Sequence, residues 1–89
     1  MARWLARYPL VIIEGMKLVA LRALVAAVEE GSLRSAARRI GLSQPALTKM
    51  IRELERELAT TLLVRSTTGV VATAQGKVLY ERAGAAERE

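Results

Sequence analysis

The 89-residue chain has no cysteine and no histidine. The first absence rules out a disulfide framework and a thiolate metal site. The second removes the commonest general base and the commonest metal ligand. There is no phenylalanine, and Trp4, Tyr8 and Tyr80 are the only aromatic residues. The core must therefore be built from Leu, Val, Ile and Ala, which favours helices. No apolar run approaches the ~18–20 residues needed to span a bilayer. There is no Gly-rich phosphate loop and no cluster of carboxylates in a plausible pocket, so neither an enzyme nor a cofactor is expected. The opening MARWLARYPLVII has early arginines and an apolar patch, as a signal peptide would. Arg7 and Pro9 interrupt that patch, and no small-residue cleavage site follows Ile13, so a cytoplasmic protein is expected.

What the chain does have is basic charge in one place. Fourteen Lys and Arg stand against nine Asp and Glu, a net charge of +5. Residues 34–52 hold Arg34, Arg38, Arg39, Lys49 and Arg52 and no acid. In a small domain such a concentration is an electrostatic footprint for nucleic acid or an anionic surface.

The same region carries the clearest pattern, LRSAARRIGLSQPALTKMIRELEREL from Leu33 to Leu58. Ala36, Ala37 and Ile40 give a first helix its apolar face. Gly41 follows, where helices commonly end in a left-handed residue. Leu42 pins the turn, Ser43 is a good N-cap, and Pro45 falls in the first turn of the next helix. Leu47, Ile51, Leu54 and Leu58 then form one stripe at helical spacing. The other face carries Gln44, Thr48, Lys49, Arg52 and Arg56. Two helices joined by a short turn with glycine make a helix-turn-helix, whose second helix reads base edges from its N-terminal end. Spacing alone leaves open an ordinary helical hairpin with a solvated basic face. Glu53, Glu55 and Glu57 read as solvated charges, with Arg52–Glu55 and Arg56–Glu53 as possible ion pairs.

The flanks complete a domain. Residues 16–30 form a helix with Leu18, Leu21, Val25 and Val28 on one stripe and Leu24 beside it, ended by Gly31. Ser32 caps the helix that follows. Residues 60–73, TTLLVRSTTGVVAT, change to two β-prone runs around a polar tip, a hairpin. Placed after a basic helix-turn-helix, it reads as a wing. Thr73 caps a last helix, in which Gly76 and Gly84 lower helicity by up to ~1 kcal/mol each. Residues 1–15 are either a basic arm for phosphates or a leader packed on the core, and the apolar run Val11–Ile13 favours packing.

These residues resemble the DNA-binding domain of the LysR-type transcriptional regulators. The resemblance is carried by EEGSLRSAARRIGLSQPALTKMIRELEREL and LLVRSTTGVVATAQGKVLYERA, with the SQPA motif, the LE pair, the wing glycine and the T-x-x-G of the last helix in family order. It spans Lys17 to Ala83. It implies a mainly α fold, a winged helix-turn-helix with a three-helix core, a two-stranded β wing and a C-terminal linker helix. The divisions would be an arm over 1–15, the DNA-binding domain over 16–72 and the linker helix over 73–89, with the effector domain absent. The recognition helix, 44–57, would enter the major groove, and the wing, 62–72, would lie at the backbone or minor groove.

By position, Gln44, Pro45, Thr48 and Lys49 would face bases. Arg34, Ser35, Ser43, Arg52, Arg65, Thr67 and Thr68 would meet the DNA backbone. Val78, Leu79, Arg82, Ala83 and Ala86 would pair two subunits. The partners implied are promoter DNA with an approximate dyad, a second copy of the chain and, in a full-length protein, a tetramer. A small-molecule effector would act only through the missing domain, and no membrane partner is expected. A protein-interaction module whose basic face binds an acidic partner is the alternative. The sequence departs from the family pattern at Ala59, usually Gly, and at Leu63, usually Phe. It departs also at Leu24 or Val25, where an aromatic is usual, at Ala72 before Thr73, and in a longer extension before Met16.

Overall fold

The computed structural model describes residues 18–88, with side chains placed through residue 84. The arm expected over 1–15 lies outside the described residues. The order is α1 (Leu18–Glu30), α2 (Leu33–Ile40), α3 (Gln44–Leu58), β1 (Leu63–Ser66), β2 (Gly69–Ala72) and α4 (Ala74–Arg88). Three helices enclose a core, a two-stranded antiparallel hairpin stands beside them, and α4 returns across α1.

The helix boundaries follow from local chemistry. Ser32, in extended conformation, caps α2 by accepting from the Ser35 N–H at 3.1 Å. Ser43 caps α3 by accepting from the Ala46 N–H at 3.3 Å, and Pro45 sits in the first turn, where its missing donor costs nothing. Helix α2 ends with Gly41 in the left-handed region at φ 75. The Gly41 N–H donates to Arg38 O and the Leu42 N–H to Ala37 O, the paired bonds of a Schellman ending. Helix α3 ends in the same way, with Ala59 N–H donating to Arg56 O and Thr60 N–H to Glu55 O. Here the left-handed position is filled by alanine at φ 52, the only non-glycine with positive φ among the described residues.

The core has two halves. One is alanine-rich: Ala23, Ala26 and Ala27 of α1 meet Ala36 and Ala37 of α2 and Leu47 and Ile51 of α3. Small side chains let these helices approach closely. The other half is leucine-rich, with Leu21, Leu24, Val25, Leu54, Leu58, Leu62, Leu79 and Ala83. Across both halves, Leu24, Leu47, Leu54, Leu58, Leu62 and Leu79 are the largest fully buried side chains. At ~1.5–3 kcal/mol for each buried leucine, these residues dominate the favourable term. The expected α1 stripe needs one correction. Leu18 is 55% exposed, whereas Ala20, Ala23, Ala26 and Ala27, off the stripe, are buried. A helix covered on several sides by neighbours has no single apolar stripe, and alanine carries little weight in such a pattern.

The hairpin pairs Leu63 with Ala72, Val64 with Val71, Arg65 with Val70 and Ser66 with Gly69. Val70 is buried against the domain, while Val64 and Val71 form an exposed cross-strand pair. Gly69, at φ 146, lies so close to the Gly31 carbonyl oxygen that a Cβ would overlap it. The neighbouring Val70 N–H donates to that same oxygen at 3.0 Å, which ties β2 to the α1–α2 corner. Gly76 also has a packing reason. A Cβ there would overlap the Leu62 carbonyl oxygen, so this glycine lets α4 lie against the chain entering the wing.

Candidate nucleic-acid interface

Helix α3 divides cleanly. Leu47, Ile51, Leu54 and Leu58 are buried, and Gln44, Pro45, Lys49 and Arg52 on the opposite side are exposed. Three of the four expected base-facing residues, Gln44, Pro45 and Lys49, therefore stand on the open face of the N-terminal half. The fourth, Thr48, is half-buried and lines a cleft of about 220 Å³ between α3 and β1. Arg52 and Arg65 line the same cleft, so a helix cation and a strand cation meet across it. Ser43, Gln44 and Pro45, at the N-terminus of α3, are all exposed, so the positive end of the helix dipole lies at the surface.

The remaining expected backbone residues lie on α2, at the α3 cap and at the hairpin tip. Arg34 is exposed and Ser35 half-buried in the first turn of α2. Ser43 is exposed, and its hydroxyl oxygen is committed to the cap while the cap bond leaves its proton unused. Thr67 and Thr68 form the exposed tip of the hairpin. The Thr68 N–H donates to the Ser66 hydroxyl at 3.3 Å, and the Ser66 and Thr68 hydroxyls lie 3.5 Å apart. Thr68 borders a second groove, with Gly31, Val71 and Lys77, rather than the cleft of Arg52 and Arg65.

Not all of the basic charge is directed outward. Arg39 pairs with Glu29 at 2.7 Å and with Glu30 at 3.4 Å. The Tyr80 hydroxyl donates to the other Glu29 oxygen at 2.7 Å, so α4, α1 and α2 share one exposed network. The Tyr80 hydrogen bond, and then Arg39, hold the Glu29 carboxyl below its usual range, and Glu29 raises the Arg39 guanidinium. The Arg39 charge is thus offset locally by two carboxylates, and the exposed cations Arg34, Arg38, Lys49, Arg52 and Arg65 carry the outward field.

Two expectations about side chains are corrected. Glu55 is not a solvated charge. Its Oε2 accepts from the Leu62 N–H at 2.7 Å and the Leu63 N–H at 3.3 Å, and it pairs with neither Arg52 nor Arg56. The two amides precede and open β1, and a carboxylate satisfies both at once. The sequence marks Glu55 by its place one turn before the helix end and as the second letter of the LE pair, and neither discloses its partners. In α4, Leu79 is 0% and Ala83 7% exposed, packed inside the protomer's own core. Val78 and Arg82 are half-buried beside them. Ala86 lies in α4, but its side chain is outside the described ones. The sequence shows a weakly apolar helix face but not that Leu21, Leu54 and Leu62 share a core with it.

Residues 18–77 match the family described as bacterial regulatory helix-turn-helix protein, lysR family. The chain belongs to the LysR family. Among curated relatives of this LysR-family chain is the HTH-type transcriptional regulator TdcA of Escherichia coli (strain K12), 40% identical over 62 residues, 70% of this chain and 20% of that protein. ClcR of Pseudomonas putida, another HTH-type transcriptional regulator, is 43% identical over 63 residues, 71% of this chain and 21% of its own length. The chain thus spans about a fifth of the length of these relatives. Among solved structures, the complex of the BenM DNA-binding domain with catB site 1 DNA superposes with a TM-score of 0.78 at 38% identity, covering 82% of this chain and 81% of that one. The CbnR DNA-binding domain–DNA complex gives 0.76 at 34% identity, over 82% of this chain and 84% of that one. The mainly helical fold with one two-stranded antiparallel sheet is the winged-helix architecture of LysR regulators. Among the described residues, no helix is long and apolar enough to cross a membrane.

Proposed function

We propose that this LysR-family chain binds double-stranded DNA sequence-specifically, as the DNA-binding part of a bacterial transcriptional regulator working in the cytoplasm. The observation that carries the reading is the division of α3, with one face fully buried and Gln44, Pro45 and Lys49 exposed on the other. Its support is the likeness to LysR domains solved on DNA. Helix α3 enters the major groove. Gln44 pairs with an adenine edge, Lys49 with an acceptor edge, and the Pro45 ring or the Thr48 methyl packs on a thymine methyl. Arg34, Ser35, Ser43, Arg52 and Arg65 hold phosphates, and Thr67 and Thr68 bring the wing tip to the backbone. Phosphate neutralisation supplies much of the affinity and makes it salt-dependent.

Two copies pair through α4, so that two recognition helices meet a site with an approximate dyad. Val78 and Arg82 form the pairing strip, with Leu79 and Ala83 fixing it from the core side. The full-length protein assembles further, to a tetramer, and senses a small molecule through a domain beyond this chain.

Fluorescence anisotropy with a labelled duplex carrying a dyad T…A box, against a scrambled duplex at two salt concentrations, tests this. Preference for the dyad that survives the higher salt is the expected result. Equal binding that collapses with salt refutes specificity in the isolated chain. Absence of any salt-dependent binding refutes the DNA reading and favours an acidic protein partner for the basic face.

A further inference from the structure

We propose that Glu55 is a positioning residue that sets where the wing stands relative to the recognition helix. The inference rests on the DNA-binding reading above. Glu55 lies on α3, six residues after Lys49, a rise of about 9 Å along the same rigid helix. Its Oε2 accepts from both the Leu62 and the Leu63 amides, at 2.7 and 3.3 Å. Leu63 is the first residue of β1, and Arg65, the cation of the hairpin, follows two residues later on the same side of the strand. Glu55, Arg52 and Arg65 line one cleft.

The two strands are paired with each other, Arg65 opposite Val70, and each also has its own tie to the helices. Strand β2 has its own tie, the Val70 N–H to the Gly31 oxygen at 3.0 Å. The root of β1 is held to α3 by Glu55. A hydrogen bond to a carboxylate is roughly twice as strong as a neutral one, and a shared acceptor fixes direction as well as distance. Glu55 thereby holds Arg65 at a set distance from Lys49 and Arg52. It acts on DNA only through the wing.

The sign of the effect separates this role from simple charge. Removing a negative side chain from a DNA-binding face should tighten binding to a polyanion. Removing a strut should weaken it, because Arg65 no longer reaches its phosphate. Each cation lost from the interface makes the slope of log K against log salt shallower by about 0.9.

Anisotropy titrations of the full chain with one duplex across a salt series read both quantities. The variants are Glu55→Ala, Glu55→Gln, Arg65→Ala and the double variant Glu55→Ala with Arg65→Ala. Glu55→Ala is expected to bind several-fold more weakly, with a slope shallower by about 0.9, matching Arg65→Ala. The double variant should be no shallower than Arg65→Ala alone. Glu55→Gln, which keeps an acceptor oxygen and drops the charge, should retain the wild-type slope. Glu55→Asp keeps the charge but shortens the reach by one methylene, and it gives the Glu55→Ala result should the alanine variant fail to fold. A wild-type slope in both Glu55→Ala and Glu55→Asp, tighter binding by Glu55→Ala, or additive losses in the double variant would overturn the role of Glu55 while leaving DNA binding intact. Absence of salt-dependent binding by the wild-type chain would overturn the underlying reading, and this inference with it.

Discussion

Helices α2 and α3 end in the same Schellman geometry, but one uses glycine at the left-handed position and the other alanine. Gly41 has φ 75 and Ala59 has φ 52. An L-residue in this region pays roughly 1–2 kcal/mol, from the approach of Cβ to the following carbonyl. Glycine avoids that cost but gives up ~0.5–1 kcal/mol in chain entropy. The difference makes Ala59→Gly stabilising by about 0.7 kcal/mol, with Ala59 exposed so that its methyl gives up little packing. Gly41→Ala is the mirror experiment. Nothing lies within 4 Å of a Cβ built there, so its expected loss of similar size is backbone strain alone. For a domain of this size, 0.7 kcal/mol is about 3–6 °C in Tm. Thermal unfolding by far-ultraviolet circular dichroism, with urea titrations as the second measure, reads both changes. The expected result is opposite signs: up for Ala59→Gly, down for Gly41→Ala. Shifts of the same sign, or no rise for Ala59→Gly, would refute the argument that the left-handed cap is where α3 loses stability.

Gly76→Ala should destabilise although alanine is the better helix former by up to ~1 kcal/mol, because overpacking against the Leu62 carbonyl costs about 1–3 kcal/mol and a main-chain oxygen cannot rotate away. A higher urea midpoint would show that α4 does not approach that closely. Lys49→Ala or Gln44→Ala should cost ~1–3 kcal/mol at one base position of a preferred site. Equal losses across unrelated duplexes, measured by anisotropy, would instead reduce these residues to phosphate contacts. The depressed Glu29 carboxyl adds stability above its unfolded pKa, and that contribution is lost as pH falls through the folded value. The Tm difference between wild type and Glu29→Gln should therefore be present at neutral pH and shrink in the acid range, and a difference that grows in acid would contradict the pairing with Tyr80 and Arg39.

What could be read in advance was local. Ser32, Gly41, Ser43 and Pro45 act within one turn of their own positions, and Leu47, Ile51, Leu54 and Leu58 share a period, so the helix-turn-helix was legible without any tertiary knowledge. The hairpin was legible as two β-prone runs around a polar tip. Its turn is less standard. Two-residue hairpin loops favour types with positive φ, yet Thr67 and Thr68 are not among the positive-φ residues, and Gly69 at φ 146 adjoins them instead. What could not be read was non-local. The burial of Leu79 and Ala83 depends on α4 folding back over Leu21 and Leu62. The withdrawal of Arg39 depends on Glu29 and Glu30 ending α1 beside the end of α2. The charge count between residues 34 and 52 was right, but one of its five cations is neutralised by acids just outside that window.

Three features that looked separate in the sequence converge on one piece of backbone. The second letter of the LE pair is Glu55, which accepts from the Leu62 and Leu63 amides. The threonine of T-x-x-G is Thr73, whose hydroxyl donates to Thr61 O at 2.6 Å and whose N–H donates to Leu62 O at 2.9 Å. That same hydroxyl accepts from the Gly76 N–H at 3.0 Å and so caps α4. The glycine of the motif is Gly76, bare of a side chain because Leu62 O lies against it. Residues 61–63 are thus gripped by α3 through their amides and by α4 through their carbonyls, with the Leu62 side chain buried between. Main-chain groups drawn out of water need partners, and here they come from α3, which the segment follows, and from Thr73 at the start of α4. Threonine at 73 and glycine at 76 act on the same carbonyl: the Thr73 hydroxyl lies 3.3 Å from Leu62 O, and a Cβ at residue 76 would overlap that oxygen. Helix α3, the hairpin and α4 are therefore fixed to one another at this junction, through the Leu62 and Leu63 peptides.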